Sequence, residues 1–533
     1  MPKLAPHGSV PYSSKPHRTW VWLCAVCLAV YISAALYLCR SGLFLSAGET
    51  ALALALFVLI AAAFLLLLLR LAARPLPLQE TRRERGKLSP GVFLAATGIN
   101  LCVLAVFTAA AYPGAVSVDS AVQWTQAVTN TYSNWHPVFH TLLLRLGYLI
   151  RPNYGFVVAL QCGVYSLAVG YLAAVLHAWG MKAWALLPLL ALSTLSPIVG
   201  NTLMYLWKDN AMTVGVAVLL AHTVNLYCSR GKWLARWQNA AAFGLALAFC
   251  TMVRHNAFFF TGTLLLTALL CLRGQLRPLL LSASVFAACL ALVWGPLYSA
   301  LHVSYPNNAL EESVGIPMTV ISDVRAANPA ALDAETLAFT RRMADDAAWE
   351  AYQPHVYNSI KFGQTREAVA RVTLADILRM AASAAKGSPR TAFFAVTGVT
   401  DLVWGIGYEG DALIAVRNSR DLPAVPVLSG TLNRVGQAVK NVLTAPYTVF
   451  PLRYYYGNIG VSFLLMLLAA LWALRQNGLG ALLLALPVLC YNLGTMALLC
   501  GKDARFFAFS PLVCTVLIPL LLKKLPDENE GTV

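Results

Sequence analysis

Four groups of ionisable residues interrupt an otherwise apolar sequence: Asp119 with His136 and His140, Lys208-Asp209, Arg254-His255-Asn256, and Lys502-Asp503 with Arg505. A carboxylate placed where an apolar run meets a polar loop, as Asp119 is, can take the proton of a hydroxyl while that oxygen attacks an anomeric carbon. Arg254 falls inside 35 mostly apolar residues (238–272), where a guanidinium needs an anionic partner. Phosphate matches a guanidinium in a bidentate way, and Arg505 has the same character. Lys208 suits a lipid phosphate, with Asp209 to orient it or to ligate a divalent ion. Each feature also has a plainer reading. Asp119 or Ser120 can cap the helix that follows, and Asp209 is an acidic residue at a helix start. His136 and His140 are spaced as metal ligands on one helix face, but packing at the interface is the better reading of His140, and Tyr132 and Trp135 read as interfacial anchors.

The elements that must position these groups are membrane helices. Of 533 residues, 59% are hydrophobic and only 12% charged, and the mean hydropathy is +0.65. A soluble chain carries roughly 25% charged residues. The apolar runs are long and rich in Leu, Ala and Val, which excludes the short alternating strands of a porin-type barrel. The expected class is an all-α integral membrane protein with about twelve membrane helices.

The net charge of +16 is distributed unevenly. Residues 301–456 hold 14 Lys+Arg against 14 Asp+Glu, so the whole basic surplus lies among the apolar runs and short loops. Positive-inside orientation accounts for this, and a nucleic acid partner does not. None of the twelve cysteines falls in 301–456, which excludes a disulfide framework there. Cys24 and Cys27 form a CxxC inside the first apolar run, a poor place for a redox or metal site.

Orienting the runs by their basic flanks places Lys3, Lys15 and Arg18 in the cytoplasm, followed by a retained first span over 20–39 and a second over 51–71. Arg70, Arg74, Arg82, Arg83, Arg85 and Lys87 form a cytoplasmic cluster, and a third span (91–111) delivers the polar loop 112–140 to the outer face. The short apolar run 137–150 reads as interfacial or re-entrant. The path continues through 154–177, 184–199, 211–228, a broken hairpin over 238–272, and 279–298. Residues 301–456 form a mostly helical extracytoplasmic segment. Three last spans (459–474, 480–499, 506–522) end at Lys523 and Lys524, so both termini are expected in the cytoplasm. Three units follow: an N-terminal membrane module (1–300) with the catalytic first outer loop, the segment 301–456, and the C-terminal helices with a short tail (457–533). All four charged groups then reach the outer face, so the lipid bilayer is an expected partner and the plasma membrane the expected location. No Gly-rich nucleotide loop occurs. A polyprenyl-phosphate sugar meets these demands: its tail stays in the bilayer, its phosphate faces the cations, and its anomeric carbon lies by the carboxylate. A transporter or flippase of a lipid-linked or anionic substrate is the alternative; it would call for repeats and midplane charges, and no internal repeat is evident.

Tyr112-Pro-Gly-Ala-Val-Ser-Val-Asp119-Ser, Asn134-Trp-His-Pro137, Lys208-Asp209, Arg254-His-Asn256, Gly315-Ile-Pro317 and Lys502-Asp-Ala-Arg505 together resemble the GT-C superfamily of membrane glycosyltransferases, over about residues 90–522. The resemblance implies an inverting single displacement from a polyprenyl-phosphate sugar to an extracytoplasmic glycan, lipid or protein acceptor. Asp119 would be the base, and Lys208, Asp209, Arg254, His255, Asn256, Arg505 and His136 would bind substrate. Many members of the superfamily pair two acidic residues in the first loop. Here Ser120 follows Asp119, so a first-loop metal site lacks its second carboxylate.

Overall fold

The computed structural model describes residues 18–38, 47–73, 81–82, 84–305, 310–406, 423–425, 430–449 and 458–526. Lys3, Lys15, Arg74 and Arg83 of the expected cytoplasmic flanks, and 306–309, 407–422, 426–429 and 450–457 of the expected extracytoplasmic segment, lie outside the described residues.

Among the described residues the protein is all-helical, with no β-sheet beyond two isolated bridges, Ala115 to Tyr205 and Ser133 to Ser304. Seven helical stretches are long and apolar enough to cross a membrane, or eight if the bent pair Ala183–Leu195 and Pro197–Met204 counts as one span. Four further apolar helices are shorter, including Val138–Ile150 and the two arms on either side of Arg254, Trp237–Val253 and His255–Cys271. The polypeptide is thus built for a bilayer, because a helix satisfies its own backbone groups where no water is present.

Apolar composition alone does not say which side a helix shows to lipid. The Ala51–Arg70 helix buries only 6% of its apolar stretch inside the protein, whereas the Lys208–Cys228 helix buries 94%. The latter is therefore the central pillar, and its first turn carries Lys208 and Asp209. It packs against Tyr154–Ala178 and Trp237–Val253. Gly215 permits the close approach on one side, where an added Cβ would meet the Phe249 ring and Cys250 Sγ.

Local signals set the helix starts. Ser89 caps Pro90–Ala111 with proline in its first turn, and Asn153 and Asn458 cap Tyr154–Ala178 and Ile459–Asn477. A turn with Gly478 at φ 71° joins Ile459–Asn477 to Leu482–Met496.

Over one end of the bundle sits a smaller helical unit with its own core, including Met318, Ile321, Phe339, Tyr357, Ile377 and Ala395. It is docked by close backbone contact. An added Cβ on Gly315, at the start of the Gly315–Ala327 helix, would collide with the Leu499 carbonyl, and the Asn358 N–H donates to Cys500 O at 2.9 Å. These contacts bring the unit against the loop 501–505.

Candidate functional site

The first loop is a rigid arm. Gly114 takes φ 125°, Ala115 N–H donates to Met204 O at 2.8 Å, and the Tyr154 hydroxyl donates to Ala115 O at 2.7 Å. Ser117 and Ser120 form a capping box that starts the Val118–Thr129 helix. Both capping functions are thereby filled by serines, and Asp119 in the first turn keeps its carboxylate free for other partners. The same Ser117 hydroxyl accepts from Trp207 Nε1 at 2.6 Å, tying the arm to the segment that leads into Lys208. On its far side Trp124 Nε1 donates to Pro423 O at 2.7 Å, a clamp from the covering segment.

Four ion or hydrogen-bond pairs converge where this arm meets the bundle. Asp119 Oδ2 lies 2.7 Å from Arg505 Nη1, and Arg505 Nε is 2.6 Å from Asp503 Oδ2. Lys208 Nζ is 3.2 Å from His136 Nδ1, whose Nε2 stands 3.9 Å from Asp119 Oδ1, too far for a hydrogen bond. Arg254 pairs with Asp209, with both side chains buried. Aromatic faces complete the setting. The Arg505 guanidinium lies 5.0 Å from the Trp207 ring centre, and the Phe506 ring is 5.0 Å from both Arg254 and Arg505. Trp207 in turn stacks on Tyr205 at 3.9 Å.

Burial raises the affinity of Asp119 for a proton, but the charges of Arg505 and Lys208 and the Arg505 hydrogen bond outweigh it and bring its pKa down to about 2. It is an anion at neutral pH. His136 is pushed down to about 3, first by burial and then by the Lys208 charge, so its ring is neutral and able to accept from Lys208.

The structure thus brings Asp119, His136, Lys208, Asp209, Arg254 and Arg505 into one cluster, although they span almost four hundred positions. His255 and Asn256 occupy the short turn after Arg254, with His255 exposed, and neither side chain makes a hydrogen bond or ion pair among the described residues. His140 is buried in the Val138–Ile150 helix while His136 precedes that helix, so the two do not share a helix face. No group of three or more His, Cys, Asp or Glu side chains suited to a metal ion occurs among the described residues. The donor set explains this: Asp119, Asp209 and Asp503 are each committed to an arginine. The residues present do not fit a divalent ion, and Asp209 serves Arg254 instead.

Sequence reasoning passed over Trp207 and Phe506, the aromatic faces beside the guanidinium groups. Trp207 directly precedes Lys208 and Phe506 directly follows Arg505, a signal that was available. No family model, no curated protein and no solved structure matches the chain.

Proposed function

We propose that this protein is a membrane glycosyltransferase of GT-C type, with about twelve membrane helices, that moves a sugar from a polyprenyl-phosphate donor to an acceptor hydroxyl outside the cytoplasm. The single observation that carries the reading is the convergence of Asp119, which its helix cap does not use, with the cations Arg505 and Lys208 at one end of an apolar bundle, beside the buried Asp209–Arg254 pair. In this reading that end faces outward from the plasma membrane and both termini are cytoplasmic.

The chemistry follows from the pairing. Arg505 holds Asp119 in a low-pKa state in which it is a weak base. A donor phosphate competes for Arg505, since phosphate and guanidinium form charge-assisted bidentate bonds. As Arg505 turns to the phosphate, Asp119 loses its strongest stabilising neighbour and its proton affinity rises. The acceptor oxygen then attacks the anomeric carbon on the face opposite the phosphate. Its proton passes to Asp119, and the carbon–oxygen bond to phosphate breaks with its electron pair on the leaving phosphate. Lys208 and Arg505 stabilise the charge that develops there. Trp207, held by Ser117, keeps Arg505 within reach of both anions.

The test is Asp119→Asn, which keeps shape and removes the charge. Loss of a positioned base costs about 100-fold to 10,000-fold in rate. Sugar transfer by the purified variant should fall by that much while the protein stays monodisperse in gel filtration. Turnover within about three-fold of the parent would remove Asp119 as the proton acceptor.

A further inference from the structure

A second place in the molecule combines a long apolar cavity with a polar rim. The cavity, about 460 Å³, lies between the Arg18–Leu38, Ile459–Asn477 and Leu482–Met496 helices and the end of Pro389–Trp404. Its walls include Cys24, Tyr31, Leu467, Ala470, Leu489 and Met496. Its volume falls in the range of small-molecule sites, roughly 300 to 1,000 Å³. Along Leu482–Met496 the lining runs from Ala481 to Met496, a rise of about 22 Å at 1.5 Å per residue. One leaflet's share of the hydrocarbon core is only about 15 Å. The cavity therefore suits one long chain that reaches beyond its own leaflet.

At the upper end the Tyr31 hydroxyl donates to Trp404 O at 3.1 Å. One helical turn before Trp404, Asp401 accepts from Lys502 Nζ at 2.8 Å. His355 stands beside this pair. Its Nδ1 is 2.6 Å from Asp323 Oδ2, and its own N–H and the Tyr352 hydroxyl both reach Asp323 Oδ1. The ring lies close against Gly398, where an added Cβ would strike it. His355 has φ 65°, a conformation that a residue with a side chain keeps only when its surroundings enforce it. With Nδ1 committed to Asp323, Nε2 is left for another partner, and the side chain is 35% exposed. The His355 loop packs on Gly501 through Val356, and three residues beyond Lys502 is Arg505.

We infer that this cavity holds the hydrocarbon chain of a long-chain lipid acceptor, and that His355, Asp401 and Lys502 receive its uncharged, hydroxylated head group. The inference rests on the transfer reading and supplies its acceptor class. Two carboxylates, Asp323 and Asp401, stand against one ammonium, Lys502. The rim therefore has no surplus of positive charge for a phosphate but offers donors and acceptors for hydroxyls. The donor phosphate has its cations elsewhere, at Lys208 and Arg505. Trp404 lines the cavity at the end nearest Asp401, where an indole suits the junction of chain and head group.

The test is photo-crosslinking of the full chain in phosphatidylcholine nanodiscs with three diazirine-tailed probes: geranylgeranyl β-glucoside, geranylgeranyl phosphate and a phosphatidylglycerol. The glucoside should label peptides containing Leu467 and Leu489 about five-fold more than either other probe. Ala470→Phe or Leu489→Trp, which fill the cavity, should each cut that labelling about five-fold. His355→Gln, a rim change that leaves the helices alone, should cut glucoside labelling about three-fold and leave labelling by the phosphatidylglycerol unchanged. Stronger labelling by the phosphate would make this the donor's tail site, and equal labelling by the phosphatidylglycerol would make it an ordinary lipid surface; either overturns the inference. Labelling needs no turnover, so the expected pattern in a protein that transfers no sugar would sink the transfer reading and leave the lipid site standing.

Discussion

The pair that most constrains the site is Asp209 with Arg254, and its energetics can be tested without knowing any substrate. Both side chains are almost fully buried, at 3% and 4% exposure, among apolar helices. Removing one partner leaves a charge that neither water nor protein compensates, at a cost of about 3–5 kcal/mol. Replacing both with apolar residues removes the attraction and the desolvation penalty together, and such replacements are often near neutral. The double-mutant cycle is Arg254→Met, Asp209→Leu and the two combined. Thermal unfolding in detergent, followed by tryptophan fluorescence, should show each single variant destabilised by roughly 3 kcal/mol or more, with the double variant within about 2 kcal/mol of the parent. The coupling would then reach about 4 kcal/mol or more, against the roughly 0.3–0.5 kcal/mol by which distant, independent sites depart from additivity. Single losses that simply add in the double variant would refute the pairing and, with it, the placement of Arg254 beside Lys208.

Acid should weaken the fold in two overlapping steps. The folded pKa of His136, about 3, lies below its ordinary 6.5, so the unfolded chain takes up the proton first and stability falls as pH drops from 6.5 towards 3. The Asp119 contribution is complete above its ordinary 3.8 and is lost as pH falls through about 2. His136→Gln should make the upper step in melting temperature against pH shallower, and an unchanged profile would place His136 in a different environment. Gly315→Val should separate the covering unit from the Leu499–Cys500 backbone and lower the melting temperature, while Gly274→Ala, with open space around its Cβ, should change little. Lys208→Ala should weaken geranylgeranyl phosphate binding by about ten-fold or more in a thermal-shift titration, with Lys208→Arg retaining most of it; equal loss in both would indicate a role in shape rather than charge.

Much of the architecture was legible because lipid imposes a simple rule. Runs such as 91–111 and 154–177 announce themselves by composition and correspond to the helices Pro90–Ala111 and Tyr154–Ala178. A charge in an apolar run also stands out, which is how Arg254 drew attention. Its partner did not stand out: phosphate was the sequence-level choice, and Asp209, 45 positions away, is the side chain that reaches it. Spacing carries no information about contacts between distant helices. His140 reads from the sequence as a packing residue and is buried in its helix, and Pro137, which starts that helix after His136, takes the two rings off a common face. Asp323 and His355 were invisible in the sequence, because isolated polar residues in a polar segment carry no pattern. Only the fold of the covering unit joins them.

The central claim, that the Asp119 cluster transfers a sugar from a lipid phosphate, is tested most directly by mass spectrometry of lipid products. The purified protein would be incubated with a panel of polyprenyl-phosphate sugars and a membrane-lipid extract as the source of acceptors. The account predicts release of free polyprenyl phosphate together with a lipid one sugar heavier, and neither product with Asp119→Asn. Unconsumed donors across the whole panel, or equal release by the Asp119→Asn protein, would contradict it.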